Sequence, residues 1–378
     1  MTKRSSNRIA PSSRRSFLKA AGAGSLASVG LAGCLGGSGG DTSPTEDDPL
    51  KVAVYGGVFQ DVLDDALINP FQEETGIPTE SRAQAVGEAL VKLKNSVDAG
   101  EAPIDVVLVA PVARIKAQDM GVWLNYSPDE LSNLGVMEDQ YVNQTDDGQM
   151  VGVGGFAWFL NLVSYEPAVD EPLDTWSALW DSQYENGIGV NRLPDDSFLL
   201  NIACELFDEF DEQEHLNSEE GIDKVLEKVA EVKPQVGLWW AEEAEAQQAL
   251  KEGEVMATQM YNDVSLVMKE GGAPIQIEWP KEGAMGNYGS WTIVKTSEYA
   301  EEAKEFVDYS ITPEVQNSIT EQLYTAPTIK ESELDISSEM YEKVYGPGPD
   351  AANVPYQEGP YIEYQEYLTE QWNQILLE

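Results

Sequence analysis

The sequence predicts an α/β fold of two lobes, each a mainly parallel sheet flanked by helices, joined by segments that cross between them. Three observations carry this prediction. Short β-branched runs alternate with helical periods from Leu50 onward, the pattern of strand-helix-strand units. The stretch Val151-Gly152-Val153-Gly154-Gly155 lies between strand-like runs and marks a place where the backbone bends or passes from one lobe to the other. A second break, Pro280-Lys281-Glu282-Gly283, precedes a new strand at Gly289–Val294 and marks the return. The boundaries expected from these breaks are 50–152 plus 287–325 for lobe 1 and 153–286 plus 326–378 for lobe 2.

In chain order, Lys51-Val52-Ala53-Val54-Tyr55 is a strand, and Gly56-Gly57 turns it into a helix from Gln60 to Thr75. Such a junction lies at the carboxyl edge of a parallel sheet, where α/β proteins place ligands. Pro70 bends or divides the helix, and Gly76 stops it. A second helix covers 88–99, and Asp105–Ala110 has the unbroken apolar character of a strand buried on both faces. Beyond the first crossover, Trp176–Trp180 is a short helix, Gly187–Asn191 a strand and Ser197–Phe207 a helix. Ser218 caps a longer helix that ends before Pro234, and Trp239-Trp240 leads into an acidic helix stopped at Gly253. Val255–Tyr261 and Pro274–Trp279 are strands around a helix opened by Asn262-Asp263. Ser297 caps one further helix, Thr312-Pro313 starts the next, and the chain closes in a helix containing Trp372.

The amino terminus reads as an export signal. Six Lys/Arg and no acidic residue precede Cys34, and an apolar run of Ala, Gly, Leu and Val leads to small residues before it. That run is well short of the roughly 20 residues that span a bilayer, so residues after Cys34 are expected outside the cytoplasm. Arg14-Arg15 with Phe17-Leu18-Lys19 resembles a twin-arginine signal over residues 1–33, which implies export of a folded protein. Leu31-Ala32-Gly33-Cys34 resembles a lipobox, which implies lipidation of Cys34 and attachment to a membrane surface at roughly 0.8 kcal/mol per buried CH₂. Residues 34–49 follow as lipidated Cys and flexible tether, rich in Gly, Ser, Thr and Asp.

Composition narrows the function. With 67 Asp+Glu against 23 Lys+Arg and a net charge of −44, nucleic acid is excluded as a partner. Acidic runs such as Asp208–Glu212 and Glu242–Glu245 sit in helical patterns as a solvated face would, which points to a salt-loving source more than to a surface selected for cations. In molar salt the Debye length is roughly 3 Å, so surface steering vanishes. The single histidine, His215, lies in an acidic surface stretch, and Cys204 lies in a helical run. A His-based triad, a zinc site and a copper centre are therefore not expected, and neither is any cofactor, metal or catalytic residue. A secreted carboxylate-dependent hydrolase is the competing enzyme class; a scaffold would show repeats, which are absent.

The strings Tyr55-Gly56-Gly57-Val58-Phe59, Pro70–Gly76 and Ile104-Asp105-Val106-Val107 resemble the first lobe of an ABC-transporter solute-binding protein. Asp174–Trp180, Gly253-Glu254-Val255, Trp279–Ala284 and Thr312–Gln316 extend the resemblance over nearly the whole mature chain. Their order and spacing are similar to the spermidine/putrescine-binding group. The resemblance implies a type II periplasmic-binding-protein-like fold: a monomer that closes about a hinge on a small-molecule solute and docks on an ABC permease at the extracellular face of the membrane. It also implies a polyamine as first solute, with thiamine-like compounds, phosphonates or ferric iron as alternatives.

Residues at predicted strand ends give the candidate site. Phe59, Trp158, Trp240, Tyr261, Tyr288 and Trp291 are large aromatics beside glycines or turns, placed either to line a cleft or to fill a core. Trp176, Trp180 and Trp372 fall on helical faces and are expected in the core. Asp195, Asp196 and Asp263 stand where a carboxylate would either cap a helix or meet an ammonium group. The polyamine resemblance implies Asp at position 289, where this chain has Gly289.

Overall fold

Three parallel strands open the fold: β1 (Leu50–Val54) lies between β2 (Thr79–Ala83) and β3 (Val106–Val109). The structure is a computed structural model that describes residues 43–83, 86–346 and 363–377. Export signal and Cys34 fall outside the described residues, and no described helix is long and apolar enough to cross a membrane. The other strands are β4 (Val142–Gln144), β5 (Met150–Tyr165), β6 (Ile188–Asn191), β7 (Val236–Trp240), β8 (Ala257–Tyr261), β9 (Ile275–Glu278) and β10 (Met285–Ile293). They hydrogen-bond in the order β2-β1-β3-β10-β5-β8-β6-β7, with β4 and β9 on β5. β6 runs parallel to β7 and β8, so each half holds three parallel strands, while β10 and β5 pair antiparallel between the halves.

The expected glycine break is therefore one continuous strand of 16 residues. The glycines admit close neighbours: a Cβ at Gly155 would stand 2.5 Å from the Trp291 indole nitrogen. The register of β10 on β5 skips Gly155, between Gly289 and Ser290.

The core divides where β5 passes between the halves. Phe156, Ala157 and Phe159 join Leu50, Val52, Leu108 and Trp291 in one cluster, while Leu160 and Leu162 join Trp176, Ile188, Val190 and Trp372 in another. On β5 the two clusters meet between Phe159 and Leu160. Ala326, Ile329, Val344 and Tyr345, expected with the second lobe, pack in the first core, because the chain returns along β5 with Ala326 paired to Ala157. The closing helix Gln365–Trp372 does pack on the second core.

Local differences have physical causes. The first long helix is α-helical over Val58–Leu63 and Asn69–Thr75, with a π-helical turn at Asp64–Ile68 that accommodates Pro70 at the start of the second piece. Its buried face is anchored by Phe71, edge-to-face on Phe306 with centroids 5.2 Å apart; burying one Phe contributes about 1.5–3 kcal/mol. β2 has no apolar run to reveal it, being a polar edge strand. Order also begins before Leu50, since Pro44 is buried and the Tyr299 hydroxyl donates to Asp48 at 2.8 Å.

Candidate functional site

Five aromatic rings form a connected wall at the carboxyl ends of β1 and β8 and the middle of β5. Phe59 stacks on Phe156 at 5.8 Å and meets Tyr55 edge-on at 6.0 Å. Trp158 touches Tyr55 at 6.0 Å, Phe156 at 5.5 Å and Tyr261 at 6.2 Å. Strand alternation explains the grouping: Phe156 and Trp158 share a face of β5, and Tyr261 stands beside Leu160 on that same face. Phe156 is fully buried, while the other four rings are half-buried. Tyr55, Phe59 and Trp158 pack on the first core and Tyr261 on the second, so the wall spans both halves.

A cavity of ≈ 510 Å³ opens beside Phe59. The first half contributes Val58, Phe59, Gln322 and Leu323; the second contributes the helices Glu243–Glu252 and Asn262–Glu270 through Gln247, Lys251, Asp263, Val264 and Val267. Asp263 is 4 % exposed, and its Oδ1 has no hydrogen-bond partner. Burial pushes its carboxyl up to about 6, against the opposing pull of the Val264 and Asp263 backbone N–H groups. An unpartnered buried carboxylate oxygen is costly.

Neighbouring polar groups hold the frame. Asn262 Oδ1 accepts from the Phe159 N–H at 2.9 Å, and its Nδ2 donates to the Tyr324 carbonyl at 3.5 Å. This buried amide ties the second half to the strand and loop of the first. Glu243 Oε1 accepts from the Tyr261 N–H at 3.3 Å. Elsewhere, burial pushes the Lys116 ammonium below its ordinary value and the Asp195 carboxylate pushes it back up. Lys116 belongs to the helix Pro111–Asp119 after β3, and Asp195 to the turn Pro194–Ser197 after β6.

Of the expected site residues, Phe59 and Asp263 line the cavity, Trp158 and Tyr261 belong to the ring wall that Phe59 joins, and Asp195 lies near Lys116. Trp240 and Trp291 do not join them. Trp240 is 2 % exposed, and its Nε1–H donates to Thr258 Oγ1 at 3.1 Å inside the core. Trp291 is fully buried against Phe306, centroids 5.5 Å apart. Tyr288 pairs with Ala157, on the face of β10 away from Trp158; its hydroxyl accepts from Asn143 Nδ2 and its ring lies against Tyr141. The Asp196 side chain lies outside the described residues. The Gly289 direction is occupied, since a Cβ there would stand 2.9 Å from Leu108 Cδ1.

Sequence reading missed Tyr55, Phe156, Asn262, Glu243, Gln247 and Lys251 as site residues. Glu243, Gln247 and Lys251 carried a signal in their spacing of four, which puts them on one face of a helix. Among the described residues no cluster of His, Cys, Asp or Glu suits a metal ion.

Two α/β halves with a ligand-sized cavity and an aromatic wall between them are the architecture of a two-lobed binding protein. The chain belongs to the bacterial extracellular solute-binding protein family, whose pattern matches residues 66–345. It is 22% identical over 286 residues to the gamma-aminobutyric acid-binding protein of Pseudomonas aeruginosa, covering 75% of this chain and 78% of that one. It is 21% identical over 276 residues to the spermidine/putrescine-binding periplasmic protein of Salmonella typhimurium, covering 71% and 75%. The crystal structure of an ABC transporter protein from Clostridium perfringens superposes with a TM-score of 0.73 at 21% identity, covering 86% of this chain and 99% of that one. Members of this family bind a small solute and deliver it to a permease. These relatives are transport proteins rather than enzymes.

Proposed function

We propose that this protein captures a small amine-bearing solute between its two lobes and presents the closed complex to an ABC permease. The observation that carries this reading is Asp263, a buried carboxylate with one unpartnered oxygen, in the lining of the cavity beside Phe59. An ammonium group there pairs with the carboxylate, and its methylene chain lies on Phe59, Trp158 and Tyr261. Desolvated cation–π contacts add up to about 2 kcal/mol each. Because the wall draws on both lobes, bound solute favours the closed state, as a ligand must contact both lobes to shift that equilibrium.

Polyamines and γ-aminobutyrate, the solutes named for the relatives, both supply such an ammonium. The methyls of Leu108 where the polyamine group would place an aspartate weigh against a second anionic clamp at Gly289. The amino-terminal pattern supports a protein exported folded and held on the outer membrane face by lipid on Cys34. The test is a melting-temperature screen of amines in molar salt, followed by small-angle scattering. Ligand at 100 times its dissociation constant raises stability by about 2.7 kcal/mol and should compact the particle. No shift with any amine overturns the reading.

A further inference from the structure

The helices Glu243–Glu252 and Asn262–Glu270 each follow a strand of the second half, β7 and β8, and both line the cavity. Their amino-terminal ends carry carboxylates, Glu243 beside the Tyr261 backbone and Asp263 in the cavity wall. Along the first helix, Glu243, Gln247 and Lys251 fall at successive spacings of four, one stripe on one face. From Glu243 to Lys251 that stripe rises about 12 Å. Between its ends the second helix contributes Val264, Val267 and Met268 to the cavity wall. The groove is thus acidic beside the aromatic wall, apolar along its length and cationic at Lys251.

Several lysines of this acid-rich chain are held in ion pairs. Lys94, Lys224, Lys228 and Lys343 are each ion-paired. Among the described residues Lys251 makes no ion pair, although it is the one ammonium lining this cavity. Nor does Gln247, half-buried one turn earlier, spend its amide on a described partner. A dication laid along this groove would bring its second charge to an ammonium. A solute with an anionic second end would meet a free donor pair.

We infer that the groove selects a zwitterion, an ω-amino acid whose ammonium sits at Asp263 and the aromatic wall and whose carboxylate reaches Gln247 and Lys251. This rests on the amine-binding reading above and adds the second end of the solute. Titration calorimetry on the full chain tests it with γ-aminobutanoate, ε-aminohexanoate, putrescine, spermidine and the monoamine butylamine. The wild type should bind one of the amino acids at least about tenfold more tightly than either polyamine, the size of one charge-assisted contact. Lys251 is exposed, so its variants should fold. Lys251→Ala should remove that preference while leaving butylamine unchanged, and Lys251→Glu should reverse it towards the diamine. Polyamines binding as tightly as the amino acids, or a preference indifferent to Lys251, overturns the zwitterion while leaving the amine-binding reading intact. Failure of every amine, butylamine included, overturns both.

Discussion

Trp158 and Tyr261 meet edge-to-face, centroids 6.2 Å apart and planes at 89°, with one ring packed on the first core and the other on the second. Edge-to-face pairs contribute about 0.5–1.5 kcal/mol beyond their burial, so this contact couples the lobes as well as forming the wall. Trp158→Ala should weaken amine binding by about tenfold or more, in keeping with the loss of a desolvated cation–π contact. Calorimetry reads the affinity, and scattering reads whether residual binding still compacts the particle. Unchanged affinity would remove Trp158 from the site.

Asp263 makes both stability and binding depend on pH. Its carboxyl is pushed up to about 6 in the fold from an ordinary 3.8. Below that lower value both folded and unfolded states are protonated and the group costs nothing. As pH rises to about 6 the unfolded chain ionises first, so stability falls by up to roughly 3 kcal/mol in all and then levels off. Asp263→Asn should therefore stabilise the ligand-free protein above pH 6 and leave it unchanged in acid, as read by denaturant midpoints. Amine affinity should show the opposite trend in the wild type, falling as pH drops through about 6, and should be largely lost in the variant.

Asn262 predicts a stability effect of a different kind. Asn262→Ala removes the acceptor of the buried Phe159 N–H and the donor to the Tyr324 carbonyl. Leaving a buried donor unmet costs about 1–3 kcal/mol. The urea midpoint should drop accordingly. Asn262→Asp, which keeps the acceptor, should recover part of the loss.

Gly289→Asp, which restores the residue implied by the polyamine resemblance, should destabilise the protein because its Cβ meets Leu108 Cδ1 at 2.9 Å. Overpacking of this kind costs about 1–3 kcal/mol. Leu108→Ala also destabilises, but the double variant should be more stable than the sum of the two changes allows. A double-mutant cycle with no coupling would show that the backbone yields instead.

Much of the fold was legible because its determinants are local. The apolar run at Val106–Val109, the Ser218 cap accepting from the Gly221 N–H at 3.1 Å and the Thr312-Pro313 start all stand where local chemistry puts them. Non-local features were not legible. β2 is recognisable only by its pairing with β1, and the reach of the first core to Tyr345 depends on the chain returning along β5. Trp158 and Trp240 look alike in sequence, each a tryptophan near the end of a predicted strand, although Trp158 stands in the middle of β5. What separates them is their packing: Trp158 stays half-buried in contact with Tyr55, Phe156 and Tyr261, whereas Trp240 fills a core cluster with Leu250 and Met260. Lys251 carried no signal by residue type, since an exposed lysine on an acidic helix is ordinary.

The pairing of β10 with β3 also governs the order in which the molecule can be assembled. Trp291 sits opposite Leu108 and Ile293 opposite Val106, so the inner edge of β3 is covered by residues made only after β4 to β9. A ribosome that has released β1 to β3 has released a sheet with an open apolar edge, and no truncation before Met285 can close it. Neither core is built from one continuous piece of chain, since the first reaches Tyr345 and the second takes in the closing helix Gln365–Trp372, so neither is filled until residues well beyond β10 have been made.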